Sequence, residues 1–220
     1  MQNTIQTPNK KIKQELLDKK DKIAKWISSL TTSPFQIITF LIFTELNAPL
    51  ITYPIANTIT NLISCIFFLV IPSIPLIILN KRSRIINGEI SREDRYLIFL
   101  VLIPNYICLI FVYNIISMLF DVNYSSLISY TSSYICVLLV DFILTCIFKF
   151  KTSMHVSGAA CAITSLSFIL GPLFLLLYLF IMVIAWARWR IKGHNIPQLI
   201  SGWINGIFIS LLILIFFTAI

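Results

Sequence analysis

Long apolar stretches recur along most of this chain, and they constrain its fold more than any other feature. They cover residues 35–56, 58–80, 97–120, 126–148, 154–187 and 197–220. A helix needs about 20 apolar residues to cross a bilayer, so each stretch is long enough to span. Gly171-Pro172 interrupts the stretch 154–187, and this turn signal predicts two short spans there. The sequence therefore predicts an all-α, polytopic integral membrane bundle of six to seven transmembrane helices.

The first stretch is the least regular of the six. Glu45, Pro49 and Pro54 lie within or beside its apolar run, and such residues are also compatible with a re-entrant segment. With the first stretch crossing, the count is seven.

Composition agrees with this fold class and excludes others. Of the 220 residues, 58% are hydrophobic and 12% are charged, and the mean hydropathy is +0.90. Soluble domains carry about 25% charged residues. The five cysteines fall inside apolar stretches without a C-x-x-C pair, so we assign them neither a disulfide nor a metal site. No cleavable signal peptide is expected, because the first apolar run begins only near residue 35.

Residues 1–34 form a Lys-rich segment ahead of the transmembrane domain, which we place at 35–220. Apolar residues recur in it at helical spacing: Ile12, Leu16, Ile23, Trp26, Ile27 and Leu30. Lysines lie mostly between them: Lys10, Lys11, Lys13, Lys19, Lys20 and Lys22. The pattern is typical of a helix on an anionic membrane surface, and a solvated, partly frayed tail is the alternative.

Positive charge marks one side of the membrane. The N-terminal segment, the 81–96 loop, residues 149–153 and residues 188–194 together hold all 17 Lys and Arg residues. With seven spans these segments share one side, which the positive-inside rule makes cytoplasmic. We expect a multi-pass protein of the cell membrane with a cytoplasmic N-terminus. Because the excess charge of +8 lies in loops and no nucleic-acid motif is present, the expected partner is the bilayer and not nucleic acid.

The chain has only two histidines, and both lie at membrane boundaries among cations. His155 follows Lys149 and Lys151 where the fifth span begins, and His194 follows Arg188 just before the last span. Cations that neutralise phosphate oxygens, one His that attacks phosphorus and one that protonates the leaving oxygen are what phosphoryl chemistry requires. A basic membrane flank that happens to contain histidines is the alternative.

These residues carry a family resemblance. The segment 188–202, R-W-R-I-K-G-H-N-I-P-Q-L-I-S-G, resembles the third motif of the type 2 phosphatidic acid phosphatase superfamily, with Arg188, His194 and Gly202 in register. The segment T-S-M-H-V from residue 152 is similar to the family's second motif, P-S-G-H-A, with Ser153 and His155 in place. The resemblance covers about residues 126–220, which we take as a phosphatase-like core. The 81–96 loop further resembles a divergent prokaryotic subgroup.

Several positions depart from the family pattern. The first motif, a Lys with an Arg-Pro seven residues on, is missing, and two lysines directly precede the second motif instead. Three other positions differ, namely Thr152 for Pro, Met154 for Gly and Ala187 for Ser. Gln198 replaces the Asp that holds the nucleophilic histidine, as it does in dolichyl-diphosphatase-like members.

The resemblance implies a role for each matched residue. His194 is the nucleophile that becomes phosphohistidine, and His155 is the general acid. Gln198, four residues after His194, is expected to accept the second imidazole N–H and fix the tautomer. The implied phosphate-binding residues are Arg188, Lys151, Lys149 and Ser153. Family catalysis is metal-free, so neither a metal nor another cofactor is expected.

The expected function is that of an integral-membrane phosphatase acting on a lipid phosphate or an isoprenoid (di)phosphate, with its site at the cytoplasmic face. A lipid phosphotransferase of the same family is one alternative. A non-enzymatic small transporter or scaffold is another, although transporters more often show internal repeats or paired broken helices. The substrate, the acceptor and the oligomeric state stay open.

Two further features concern the helices that carry the site. Asp141 lies within an apolar stretch, where an acid is either a partner of the site or a structural acid bonded between helices. Gly202 and Gly206 form a G-x-x-x-G motif, and residues 157–162 are mostly small. Both surfaces predict close packing of the two His-bearing helices.

Overall fold

The structure is a computed structural model. It describes the backbone of residues 8–30, 33–46, 53–82, 85–86 and 89–219, and the side chains of 18–30, 38–46, 53–82 and 90–219. Pro49 lies outside these ranges. The side chains of five other residues named in the sequence analysis also lie outside them: Lys10, Lys11, Ile12, Lys13 and Leu16.

Within the described ranges the chain forms eight helices and one short hairpin. The helices are α1 (Pro8–Leu30), α2 (Ser33–Leu46), α3 (Pro54–Lys81), α4 (Arg95–Phe120), α5 (Ser125–Ile147), α6 (Met154–Leu170), α7 (Pro172–Arg190) and α8 (Ile196–Ala219). The hairpin pairs β1 (Ile85–Ile86) with β2 (Glu89–Ile90) in antiparallel register between α3 and α4. The predicted all-helical class is confirmed.

Five helices, α3, α4, α5, α7 and α8, are long and apolar enough to cross a membrane. Helix α6 is also apolar but has 17 residues, and α2 has 14. In length and composition these helices agree with the membrane class predicted from the apolar stretches, and the number of six to seven spans stays a prediction.

The surface of the bundle is rich in apolar side chains, and its apolar interior also contains buried polar residues. Met118 is 84% exposed, and Leu119 and Leu173 are each 73% exposed. Small hydroxyl residues are buried instead: Thr60, Ser64, Thr131, Ser133, Ser165 and Ser210. Lipid-facing helices show this arrangement, because they associate through small and polar contacts while their apolar faces stay in hydrocarbon.

The chain turns between α6 and α7 at the Gly171-Pro172 dipeptide. Gly171 follows the last residue of α6 with φ of +119°, a conformation that side chains rarely adopt, and Pro172 opens α7 as its first residue. The break predicted at this dipeptide is confirmed. Pro54 likewise begins α3.

Helix α6 lies at the centre of the bundle, with residues 156–166 all buried. Helices α2, α5, α7 and α8 pack against it. A Cβ on Gly202 would come within 2.8 Å of the Ser153 carbonyl oxygen, and one on Gly206 would overlap the Ser157 carbonyl oxygen. The predicted close packing of the two His-bearing helices, α6 and α8, is therefore confirmed.

The Lys-rich N-terminal segment contains a helix, α1, as the helical alternative requires. This helix packs against α7, which the sequence did not indicate. Ala24 on α1 is fully buried, whereas Trp26 is 67% exposed. One face of α1 therefore contacts the protein, and another is free for the surroundings.

Candidate active site

Two short segments, 149–153 and 191–198, meet at one end of the bundle. Helix α5 ends in a π-helical turn (Ile143–Ile147), and the chain reverses at Lys149, which has φ of +56°. Arg92 donates to the Lys149 carbonyl oxygen at 3.1 Å, and Lys151 Nζ donates to the Gly193 carbonyl oxygen at 3.2 Å. Three regions distant in the sequence are thereby held together.

His194 occupies the turn between α7 and α8 and is only 4% exposed. Its Nδ1 lies 3.1 Å from Gln198 Oε1, and its Nε2 lies 3.1 Å from the guanidinium Nη2 of Arg95. A guanidinium only donates hydrogen bonds, so Nε2 is the accepting nitrogen. The proton is assigned to Nδ1, which donates to Gln198, and the lone pair of Nε2 points toward Arg95.

Gln198 is held in place by the start of α8. Its Oε1 also accepts from the Asn195 backbone N–H at 3.3 Å, while Asn195 Oδ1 accepts from the Gln198 backbone N–H at 3.1 Å. This reciprocal pair is a capping box, with Asn as the cap and Gln three residues later. The predicted contact between His194 and Gln198 is present, and the capping box explains why Gln198 is oriented for it.

The surroundings of His194 favour its neutral form. Burial, followed by the positive charges of Arg95, Arg188 and Lys151, lowers the pKa of His194 to about 2, against the opposing hydrogen bond to Gln198. The imidazole is therefore uncharged at neutral pH. Its Nε2 is unprotonated, and the nucleophilic lone pair there accepts the hydrogen bond from Arg95.

Arg95 is the site residue that sequence reasoning missed. It begins α4, is 5% exposed, and donates to the Thr152 carbonyl oxygen at 2.6 Å in addition to facing His194. The available signal was the cluster of charges in the 81–96 loop. Nothing in that loop indicated which cation lies beside a residue 99 positions away.

Arg188 and His155 also lie close enough to His194 to interact with it electrostatically. Arg188, in the last turn of α7, is 3% exposed and donates to Ser28 Oγ at 2.6 Å. His155, in the first turn of α6, is half-buried and hydrogen-bonds the backbone of Ser28. It also interacts electrostatically with Arg188, His194 and Arg95. The structure thus brings both predicted catalytic histidines and the predicted phosphate-binding arginine together.

The remaining predicted phosphate-binding residues surround the same region. Ser153 precedes α6, is fully buried, and its Oγ has no hydrogen-bond partner among the described residues. Lys151 is close enough to His194 to affect it electrostatically. Lys149 is exposed, and its side chain lines an open cavity of about 410 Å³. That cavity is bounded by Ser91, Arg92, Glu93, Lys149, Phe150, Lys151 and Gln198.

Asp141 lies beneath the site and is fully buried. It accepts hydrogen bonds from Thr152 Oγ1 at 2.9 Å, from Asn205 Nδ2 at 2.9 Å and from Ser157 Oγ. It therefore joins α5 to α6 and α8, as the reading of a structural acid between helices predicts. Through Thr152, whose carbonyl binds Arg95, it also supports the site.

Among the described residues, no group of three or more His, Cys, Asp or Glu side chains is placed to hold a metal ion. What the site offers is a neutral imidazole, a second imidazole and several cations. This set suits an anionic, oxygen-rich ligand such as a phosphate group.

Comparison of the chain with protein-family models, with curated proteins and with solved structures gives no match.

Proposed function

We propose that this chain is an integral-membrane phosphatase of the type 2 phosphatidic acid phosphatase kind, which hydrolyses a lipid phosphate or an isoprenoid (di)phosphate. The observation that carries the proposal is the setting of His194. Its Nδ1 is engaged by Gln198 and its Nε2 faces a buried arginine, so a nucleophilic nitrogen and an anion-binding group point at each other.

In the proposed reaction, Nε2 of His194 attacks phosphorus and the bond between phosphorus and the leaving oxygen breaks. His155 enters this step as the imidazolium, with its charge offset by the bound phosphate anion. It donates a proton to the leaving oxygen, so the product leaves as an alcohol or as a phosphate. His155 then takes a proton from water, the resulting hydroxide attacks the phosphohistidine, and the N–P bond breaks to release phosphate. Throughout, the proton stays on Nδ1 of His194, and Gln198 Oε1 accepts the hydrogen bond from it.

Arg95 has a specific part in this scheme. In the structure its guanidinium fills the approach to Nε2, so a substrate phosphate must take over that hydrogen bond. The guanidinium then binds phosphate oxygens and neutralises their charge as the phosphoryl group transfers. Arg95, with Lys151 nearby, would supply the cations that the missing first motif supplies elsewhere in the family.

An apolar groove supports a substrate with a hydrocarbon chain. It has a volume of about 580 Å³ and runs along α5 and α8 from Pro197, the neighbour of Gln198, to Phe208 and Ile209. A lipid whose headgroup reaches the histidines has apolar side chains along its path into the bilayer.

We further propose seven passes, with the site at the cytoplasmic face. Helix α3 starts at the end of the bundle opposite the site. Asn61, in the second turn of α3, donates a hydrogen bond to Glu45 near the C-terminus of α2. Helix α2 therefore runs away from the site. The ion pair of Asp21 with Arg190 and the bond of Arg92 to Lys149 keep the basic segments at one end. The positive-inside rule assigns that end to the cytoplasm.

A phosphotransferase would use the same phosphohistidine with an acceptor other than water, and a transporter or scaffold would form none. The test is phosphate release by the purified protein in detergent against a panel of lipid phosphates and isoprenoid diphosphates. The proposal predicts release from at least one member without added metal. Folded wild-type protein that forms phosphohistidine but releases no phosphate indicates a transferase, and folded protein that does neither overturns the proposal.

A further inference from the structure

Helix α1 contacts two candidate catalytic residues through one of its own residues, Ser28. The Ser28 hydroxyl accepts a hydrogen bond from Arg188 at 2.6 Å, and the Ser28 backbone is hydrogen-bonded to the imidazole of His155. Ser28 itself is buried. It lies 160 residues before Arg188 in the chain, so only the docking of α1 brings it there.

The docking of α1 is specific. Asp21 forms an ion pair with Arg190 at 2.7 Å, and Ala24 is fully buried. Asp21, Ala24 and Ser28 are spaced three and four residues apart and so share one face of the helix. That face lies on the end of α7, next to Arg188.

The opposite side of α1 suits a membrane interface. Ile23, Trp26 and Leu30 are 44%, 67% and 41% exposed, and exposed lysines accompany them: Lys19, Lys20, Lys22 and Lys25. Such a face is held at the boundary between headgroups and hydrocarbon. The membrane and α7 would together fix the position of Ser28 above the site.

We propose that Ser28 is a positioning residue of the site, with its hydroxyl orienting Arg188 and its backbone orienting His155. This inference rests on the proposed phosphatase function. Arg188 is almost wholly buried, and a buried guanidinium that loses a partner loses its defined orientation toward a phosphate. A histidine with one nitrogen fixed by a backbone group presents the other nitrogen in a fixed direction, which proton transfer to a leaving oxygen requires.

The two contacts have separable kinetic consequences. Arg188 binds the phosphate, which every substrate carries, so loss of the hydroxyl affects all substrates alike. His155 protonates the leaving group, so displacement of the Ser28 backbone matters most for a poor leaving group such as an alkoxide. A nitrophenolate leaves without a proton and is spared.

The variants are Ser28→Ala, Ser28→Thr and Ala24→Leu, the last of which lifts α1 by adding bulk to its buried face. Ser29→Ala is the matched control, because Ser29 is the exposed neighbour of the same type and its hydroxyl donates to the Lys25 carbonyl oxygen of α1 at 3.1 Å. Each variant is purified in detergent and checked for folding by its melting temperature. The probes are nitrophenyl phosphate and the alkyl phosphate, such as phosphatidic acid, that wild-type protein hydrolyses fastest.

We expect Ser28→Ala to lower kcat/KM about ten-fold on both probes, Ser28→Thr to restore most of it, and Ser29→Ala to match wild-type protein. Ala24→Leu should lose at least about ten-fold more on the alkyl phosphate than on nitrophenyl phosphate. If wild-type protein is active and the Ser28→Ala and Ala24→Leu variants are unchanged or faster, the inference about Ser28 is wrong while the proposed function stands. Faster variants would make α1 an inhibitory element. Wild-type protein inactive on every substrate overturns the proposed function and this inference with it.

Discussion

The guanidinium Nη2 of Arg95 lies 3.1 Å from Nε2 of His194, although the two residues are 99 positions apart in the sequence. Both side chains are almost completely buried, and the same guanidinium also binds the Thr152 carbonyl oxygen beside the second histidine motif. Arg95 thereby links the start of α4 to both histidine-bearing segments. A phosphoryl group transferred to Nε2 would arrive at this guanidinium.

Replacement of Arg95 should therefore impair catalysis more than replacement of any neighbouring cation. We expect Arg95→Ala to reduce kcat/KM about 10²- to 10³-fold, the usual cost of removing one preorganised charge-stabilising group. Arg95→Lys should recover only part, since an ammonium cannot bind His194 and Thr152 in the same planar fork. The measurement is initial phosphate release at several substrate concentrations.

Arg92→Ala serves as the control for Arg95, because Arg92 lies three residues away and bonds a carbonyl of the 149–153 segment instead of a histidine. A loss of activity in Arg92→Ala that equals the loss in Arg95→Ala would contradict the assignment of Arg95 to the phosphoryl group.

Gln198 is predicted to act through the tautomer of His194. Gln198→Glu keeps the length of the side chain and supplies a carboxylate that stabilises an imidazolium better than an amide does, so activity should be kept or raised. Gln198→Asp should also keep it, although its shorter chain must reach the same Nδ1. Gln198→Ala should lower kcat by about ten-fold or more, because the proton on Nδ1 loses its acceptor.

The capping box provides the control for Gln198. Asn195→Ala removes the side-chain bond to the Gln198 backbone and should lower the melting temperature with a smaller effect on kcat. If Asn195→Ala and Gln198→Ala lose the same kcat, the role of Gln198 is that of a helix cap and not of a histidine partner.

The stability of the protein should fall on mild acidification because of His194. Its pKa is lowered from 6.5 to about 2 in the folded protein, so between these values the unfolded chain binds a proton that the folded chain excludes. This contribution to stability is fully present above pH 6.5 and declines below it by up to about 1.4 kcal/mol per pH unit. Unfolding in detergent at about pH 7.5 and about pH 5.5 measures the decline, which should be smaller in His194→Gln. Equal declines in the two proteins would show that the imidazole is not held neutral.

The sidedness of the site can be measured by cysteine labelling in a background without the five native cysteines. Asn123→Cys and Lys81→Cys place exposed thiols at the opposite end and at the site end of the bundle. The topology predicts labelling of position 81 only from the cytoplasm and of position 123 only from outside. Labelling of position 123 from the cytoplasm alone would reverse the orientation.

Much of the bundle could be predicted from residues close together in the sequence. The apolar stretches indicate the helices, Gly171-Pro172 indicates the break between α6 and α7, and the four-residue spacing of His194 and Gln198 indicates their contact. Each of these signals is local, because helix formation, chain reversal and contacts within one turn depend on neighbours in the chain.

Arg95 and Ser28 could not be assigned in the same way. Their contacts cross 99 and 160 positions, and they depend on how α4 and α1 pack against the histidine-bearing segments. A loop with several arginines does not reveal which one is buried, and a serine in a Lys-rich helix resembles any surface serine. Only the arrangement of helices separates Ser28 from Ser29 or Arg95 from Arg92.

The most direct test of the central claim is trapping of a phosphoenzyme. Wild-type protein mixed with a substrate carrying a labelled phosphate is quenched with base, which preserves phosphohistidine, and the label on the protein is counted beside His194→Ala and His155→Ala. We expect label on wild-type protein, none on His194→Ala, and label on His155→Ala with an activated substrate such as nitrophenyl phosphate. Turnover at the wild-type rate by His194→Ala would contradict the claim.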